Sequence, residues 1–212
     1  MPEPWPLIRS IPDKSYRVFS VRTDTARSPR TGKEHDFYVI ESVDWVNIIP
    51  LTPDSQVVMV RQYRHGTRQI SLEVPGGLVN PKDTPLDTAR KELLEETGYQ
   101  AEEITLIGIA HPQPAVLNNR HLTFLATNVR KTTALDPSIA LRPFDFAQDR
   151  QGSGQGSGQR LDEGEDIEVV LVPLSKIPRL IREGEITNAM VILAFHWYFM
   201  EANTEYRIPN SE

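Results

Sequence analysis

The chain contains no cysteine, so disulfides, thiolate zinc sites and thiol nucleophiles are excluded; that absence does not by itself assign a compartment. Positive charge is not in excess either. Lys and Arg number 23 against 29 Asp and Glu, a formal net charge of −6, and a nucleic-acid polymer, which needs a basic face against its phosphates, is not an expected partner. No stretch approaches the roughly 20 consecutive apolar residues of a membrane span. The opening MPEPWPLIRSIPDKSYR lacks the uninterrupted apolar segment of a secretory signal. No membrane partner and a cytoplasmic location are therefore expected. What the 212 residues do have is 39% hydrophobic content, enough to bury a core in one domain or one domain with a small appendage.

Turn signals and apolar runs divide the chain. Residues 16–21 and 37–42 read as two strands around a polar segment with Pro29 and Gly32, a small N-terminal sheet. From Trp45 onward short apolar strands recur at 46–51, 57–62, 104–110, 121–126 and 167–172, and residues 72–75 form another. Helices are expected after Thr84, from Ser175 with Pro178 in its first turn, and from about Thr187. The last carries Met190, Ile192, Leu193, Phe195, Trp197 and Tyr198, apolar on most sides and hence buried or at an interface. Between Asp136 and Arg160 the tract QGSGQGSGQ has no side chains able to form a core and reads as a flexible insertion.

The densest chemistry lies in GLVNPKDTPLDTARKELLEETGY, from Gly77 to Tyr99. Thr84 can cap a helix, Pro85 fits its first turn, Asp87 stands where a capping-box acid would, and Gly98 suits its stop. At about 100° per residue, Glu92, Glu95 and Glu96 form one acidic ridge, while Leu86, Ala89, Leu93 and Thr97 form a buried stripe elsewhere on the circumference. Like charges this close repel by a few tenths of a kcal/mol per pair, about 0.2–0.5 on an exposed helix. Two readings follow: a solvated acidic face, or a hard divalent cation bound among carboxylate and phosphate oxygens. Ahead of the helix, Gly76 and Gly77 read as a loop that lets backbone approach a ligand.

These residues resemble the Nudix hydrolase signature, in which a glycine, five residues, a glutamate and seven residues lead into Arg-Glu-apolar-any-Glu-Glu-any-Gly-apolar. Gly77, Glu92, Leu93, Glu95, Glu96, Gly98 and Tyr99 occupy matching positions. Asp83 replaces the first glutamate and Lys91 the arginine; both keep the charge, but Asp83 is shorter and Lys91 lacks the bidentate fork of arginine. Upstream, VVMVRQYRHG and SLEVPGG are similar to the ADP-ribose pyrophosphatase branch, as are the acidic loop at Glu163, Gly164, Glu165, Asp166 and Ile167 and the terminal EGEITNAMVILAFHWYF. Pro114 matches a proline common in that branch. The likeness runs from about Val43 onward.

The resemblance implies an α/β (α+β) fold, a Nudix-type α/β/α sandwich with a mixed sheet preceded by a small N-terminal antiparallel sheet. It implies a dimerising N-terminal subdomain over 1–43, a hydrolase domain over 44–206 with an insertion at about 136–160, and a tail at 207–212. The metal ligands implied are the Gly76 carbonyl, Glu92, Glu95, Glu96 and Glu165. Glu92, Glu95 and Glu163 are candidate catalytic groups, the base being Glu92 or Glu163, with Lys91 as the brace. Arg64 and Glu73 would hold substrate and Trp45 would stack on a base. The reaction implied is Mg²⁺-dependent (alternatively Mn²⁺-dependent) hydrolysis of a nucleoside diphosphate linked to another group, above all ADP-ribose or a nucleotide sugar, in a homodimer. The alternatives are a dinucleotide such as NADH or a diadenosine polyphosphate as substrate, or a non-catalytic nucleotide sensor. His111 and His121 lack a companion at ligand spacing and read as structural.

Overall fold

The computed structural model describes residues 1–132 and 166–202. Its first element is an antiparallel sheet in the order β1 (Leu7–Ser15), β2 (Ser20–Arg27), β3 (Glu34–Glu41). The strand expected at 37–42 lies in β3, whereas the one expected at 16–21 falls mostly on the turn between β1 and β2, where the Tyr16 N–H donates to the Phe19 carbonyl, and overlaps β2 only at Ser20 and Val21. LIRSIPDKS of β1 is exposed throughout and has a proline inside it, so no buried alternation marks it; Pro12 is tolerated because β1 is an edge strand, and the register shifts between Pro12 and Lys14.

The rest of the chain runs β4 (Trp45–Pro50), β5 (Gln56–Arg64), β6 (Gln69–Glu73), β7 (Gly76–Leu78), α1 (Pro85–Thr97), β8 (Tyr99–Gln100), β9 (Glu103–Ala110), β10 (His121–Thr127), β11 (Arg130–Lys131), β12 (Ile167–Pro173), α2 (Ile177–Glu183) and α3 (Ala189–Ala202). A mixed sheet has the order β7-β4-β10-β9, with β4 parallel to β10 and the other pairs antiparallel. β12-β5-β6 forms an antiparallel sheet, and β11 pairs with β8.

Successive side chains of β4 point to opposite faces. Val46 and Ile48 join a core with Ala89 and Leu93 of α1, whereas Ile49 joins one with Ala194 and Phe195 of α3. Helices thus cover both faces of the mixed sheet, giving the α/β/α arrangement that the sequence led us to expect. Ile48, Ile49, Leu93 and Phe195 are fully buried, each worth about 1.5–3 kcal/mol relative to exposure. Neither core contains a described residue before Val46. The expected insertion at 136–160 falls within 133–165, and that stretch and the 207–212 tail lie outside the described residues.

Candidate active site

Helix α1 is bounded as its sequence requires. The Asp87 N–H donates to Thr84 Oγ1 at 3.1 Å and the Thr84 N–H to Asp87 Oδ2 at 3.4 Å, a complete capping box. Gly98 closes the helix in the left-handed region at φ 72°. Ala89, Leu93 and Thr97 are buried and Leu86 packs against the same core, so the apolar stripe fixes which way the acidic ridge faces.

Gly76 and Gly77 are strand rather than loop, pairing with Asn47 and Val46 of β4. The missing side chains are the reason. A methyl group on Gly76 would run into the Val46 carbonyl, and one on Gly77 would run into the Glu92 carboxylate. The Gly76 N–H donates to Glu96 Oε2 at 3.0 Å. Two adjacent glycines therefore receive two carboxylates of the ridge, Glu96 by a charge-assisted hydrogen bond and Glu92 by contact. Glu96 is buried, and Glu92 and Glu95 are half-buried. A solvated face would leave all three exposed.

The two positions that depart from the Nudix pattern meet each other: Lys91 Nζ donates to Asp83 Oδ2 at 2.6 Å. Arg64 closes its fork on Glu73, Nε to Oε1 at 3.0 Å and Nη2 to Oε2 at 2.7 Å. The Glu73 side chain is 5% exposed and that of Arg64 45%, so the carboxylate lies inside and the arginine reaches outward. Burial works to raise the Glu73 pKa, but the Arg64 hydrogen bonds and charge, with Ser71 and Asn188, hold it below its ordinary value. Asn188 escaped the sequence reading. Its side chain also accepts the Met190 N–H at 2.9 Å, and an Asn just before an apolar helical run was the available signal.

Trp45 is half-buried and donates its Nε1–H to Ser42 Oγ at 3.1 Å. Its ring lines a cleft of about 250 Å³ with Val18, Phe19, Ile40, Ser42, Leu78 and Leu117, of which only Trp45 was singled out from sequence. His121 is buried and its pKa is lowered to about 4 by that burial; His111 Nδ1 lies 3.3 Å from the Asn119 carbonyl. Glu163 and Glu165 lie outside the described residues.

Among the described residues no three His, Cys, Asp or Glu side chains form a ready metal cage. Magnesium seldom uses one. It binds through one or two carboxylates plus substrate phosphates and keeps several waters. Glu92, Glu95 and Glu96 supply oxygen donors only, which is the chemistry such a cation takes.

The NUDIX domain model matches residues 41–189. The chain belongs to the Nudix family. This Nudix hydrolase is 25% identical over 183 residues to the ADP-ribose pyrophosphatase of Bacillus subtilis (strain 168), covering 86% of each chain. It is 22% identical over 193 residues to the methanol dehydrogenase activator of Bacillus methanolicus, covering 91% of each. The solved structure of an ADP compounds hydrolase superposes with a TM-score of 0.75 at 18% identity, over 98% of this chain and 99% of that one; this likeness establishes the fold. The resemblance read from Gly77 to Tyr99 is borne out, as is the fold it implied. No helix among the described residues is long and apolar enough to cross a membrane.

Proposed function

We propose that this Nudix hydrolase cleaves the pyrophosphate bond of ADP-ribose or a related nucleoside diphosphate sugar. The observation that carries the reading is the seating of Glu92 and Glu96 against Gly77 and Gly76, which gathers carboxylate oxygens at one strand edge. The name of the Bacillus subtilis relative supports the substrate class. Nudix hydrolases in general use divalent metals. Glu92, Glu95, Glu96 and the Gly76 carbonyl would hold Mg²⁺, or Mn²⁺, with Glu165 as a further ligand. Bound there, the ion supplies charge neutralisation for the diphosphate and a more acidic water.

The chain's own groups do the rest. Glu73 fixes the direction of Arg64, whose guanidinium attracts the diphosphate. Lys91 holds Asp83 and so ties the segment ahead of α1 to the turn that carries Glu92. Glu92 or Glu163 takes the proton of the attacking water. The N-terminal sheet supplies the homodimer contact: it adds nothing to either core and exposes Leu7, Ile8, Ile11, Phe37 and Tyr38, with exposed Trp5 just ahead of β1. Phe37 and Tyr38 are successive strand residues on opposite faces, so the sheet exposes apolar surface on both sides, and a second layer is needed to cover it. The domain division at 43/44 and the cytoplasmic location belong to the same proposal.

The test is Glu96→Gln, which keeps an acceptor for the Gly76 N–H but removes the charge. Mg²⁺-dependent conversion of ADP-ribose to AMP and ribose 5-phosphate should fall at least about a hundredfold while the fold is kept; parental turnover would contradict the role of that carboxylate. The activator relative motivates a second reading, a nucleotide-binding regulator of another enzyme. Calorimetric binding of ADP-ribose without hydrolysis under Mg²⁺ would favour it, and turnover of a dinucleotide in preference to ADP-ribose would move the substrate class.

A further inference from the structure

Among the described residues five buried side-chain atoms have no hydrogen-bond partner: Asn47 Oδ1, Asn119 Oδ1, His121 Nδ1, Thr123 Oγ1 and Trp197 Nε1. Three of them stand in one row. Thr123 of β10 is the register partner of Asn47 on β4 and of Gly108 on β9, and a side chain on Gly108 would run into the indole of Trp197, which reaches down from α3. The row lies on the face that carries Ile49 toward α3, since Val46, Ile48, Leu122 and Phe124 point the other way. Asn47 is already tied to that helix, its Nδ2 donating to the Met190 carbonyl at 3.2 Å, so its carbonyl oxygen is the free end. From Met190 to Trp197 the helix advances roughly 10.5 Å, and from β4 to β9 the sheet advances two strand spacings, roughly 9.6 Å. Helix α3 therefore crosses β4, β10 and β9 with Asn47 under its first turn, Trp197 over β9 and Thr123 between them.

The three groups are complementary. The indole N–H only donates, the Asn47 carbonyl oxygen only accepts, and the Thr123 hydroxyl does both. None reaches another directly, and leaving all three unpaired would cost a large share of a domain's net stability. Ordered water, which donates and accepts in turn, is the partner that such buried groups take. The row also has a task that apolar packing does poorly. AMVILAFHWYFMEA of α3 is apolar nearly all round, so burial alone fixes its position on the sheet weakly, whereas hydrogen bonds are satisfied in one register. At its other end the row abuts the candidate site: Asn47 is the strand partner of Gly76, its Cα and Cβ occupy the space a Gly76 side chain would fill, and the Gly76 N–H holds Glu96. Resting on the hydrolytic function proposed above, we infer that Thr123 is a positioning residue: its hydroxyl, through ordered water, completes a polar row from Trp197 to Asn47 that registers α3 on the sheet and holds Gly76 and Glu96 in place.

The full chain is compared with Thr123→Val, which keeps the shape and removes the hydroxyl, and with Thr123→Ser, which keeps the hydroxyl. NMR follows the Trp197 indole N–H and the Gly76 amide, and ADP-ribose turnover follows the site. In the parent the buried indole N–H should show a cross-peak to water. Thr123→Val should shift that resonance, speed hydrogen exchange at Gly76 by about tenfold, and lower kcat by about tenfold with KM kept within about threefold. Thr123→Ser should stay close to the parent in every readout. If Thr123→Val does not fold, Trp197→Phe removes the donor at the far end and should bring the same faster exchange at Gly76 and the same loss in kcat. An indole N–H without a water cross-peak, Thr123→Ser as impaired as Thr123→Val, or Gly76 exchange unmoved by loss of the hydroxyl would overturn the inference even with ADP-ribose hydrolysed. The expected NMR results in a chain that hydrolyses no nucleotide sugar would support the row and refute the hydrolytic function instead.

Discussion

Lys91 Nζ stands 2.6 Å from Asp83 Oδ2, so the two residues that leave the Nudix pattern form one ion pair between the segment ahead of α1 and the turn that carries Glu92. With side-chain exposures of 42% and 22%, the pair is screened, and its contribution to stability is expected at about 0.2–1 kcal/mol. Its effect on turnover should be larger, because a displacement on the order of 1 Å at a reacting group costs about a hundredfold. Lys91→Ala and Asp83→Ala should each lower kcat by about tenfold or more, and the double variant should be no worse than either. Losses that simply multiply in that cycle would show that the two residues act separately.

Gly77→Ala tests the close approach of strand and carboxylate. The added methyl must displace the carboxylate end of the flexible Glu92 side chain, which can turn aside at little cost in stability. Circular dichroism should show the fold retained while turnover falls about a hundredfold. Parental activity would mean that the seating of Glu92 on Gly77 has no catalytic consequence.

His121 makes stability depend on pH in a window of its own. Burial holds the folded imidazole neutral down to about pH 4, against an ordinary value of 6.5. Between those values the unfolded chain binds the extra proton, so stability is complete above about pH 6.5 and is lost as the pH falls toward 4, by about 3 kcal/mol in all. Glu73 and Asp44, whose pKa values are lowered, lose their contributions only in the acid range below about 4.5. Urea unfolding between pH 7 and 4.5 should therefore show a decline that His121→Gln flattens. A parent protein equally stable across that range would refute the assignment.

The proposed homodimer is tested at the N-terminal sheet. Trp5 packs edge-on against Phe37 with centroids 5.4 Å apart, and both line a cleft of about 620 Å³ with Leu7, Asp24 and Ala26. Trp5→Glu should weaken self-association by about 30-fold or more if this face is the interface, as read by sedimentation at several concentrations. A parent chain that sediments as a monomer throughout would remove the dimer.

Much of this protein was written in local pattern. The limits of α1 followed from Thr84, Pro85, Asp87 and Gly98, since caps act over three or four residues and need no tertiary partner. The acidic ridge and buried stripe followed from the angular step of a helix. The strands from Trp45 to Pro50, Gln56 to Arg64 and His121 to Thr127 announced themselves as apolar runs between turn residues. β1 did not, because an exposed edge strand has no buried alternation, and β7 did not, because two glycines look like a loop until the β4 backbone and the Glu92 carboxylate are seen to occupy the space their side chains would fill.

By itself, the order of residues determined the Nudix framework: which helix carries the carboxylates, which of its faces is buried and which strands flank it. Tertiary structure alone decided who meets whom, namely that Lys91 finds Asp83, that Arg64 turns its fork onto Glu73, and that Glu92 and Glu96 settle on Gly77 and Gly76. Periodicity specifies the direction a side chain leaves its own element, whereas a contact also needs the position of the other element. That position is set by the packing of the two cores against the mixed sheet.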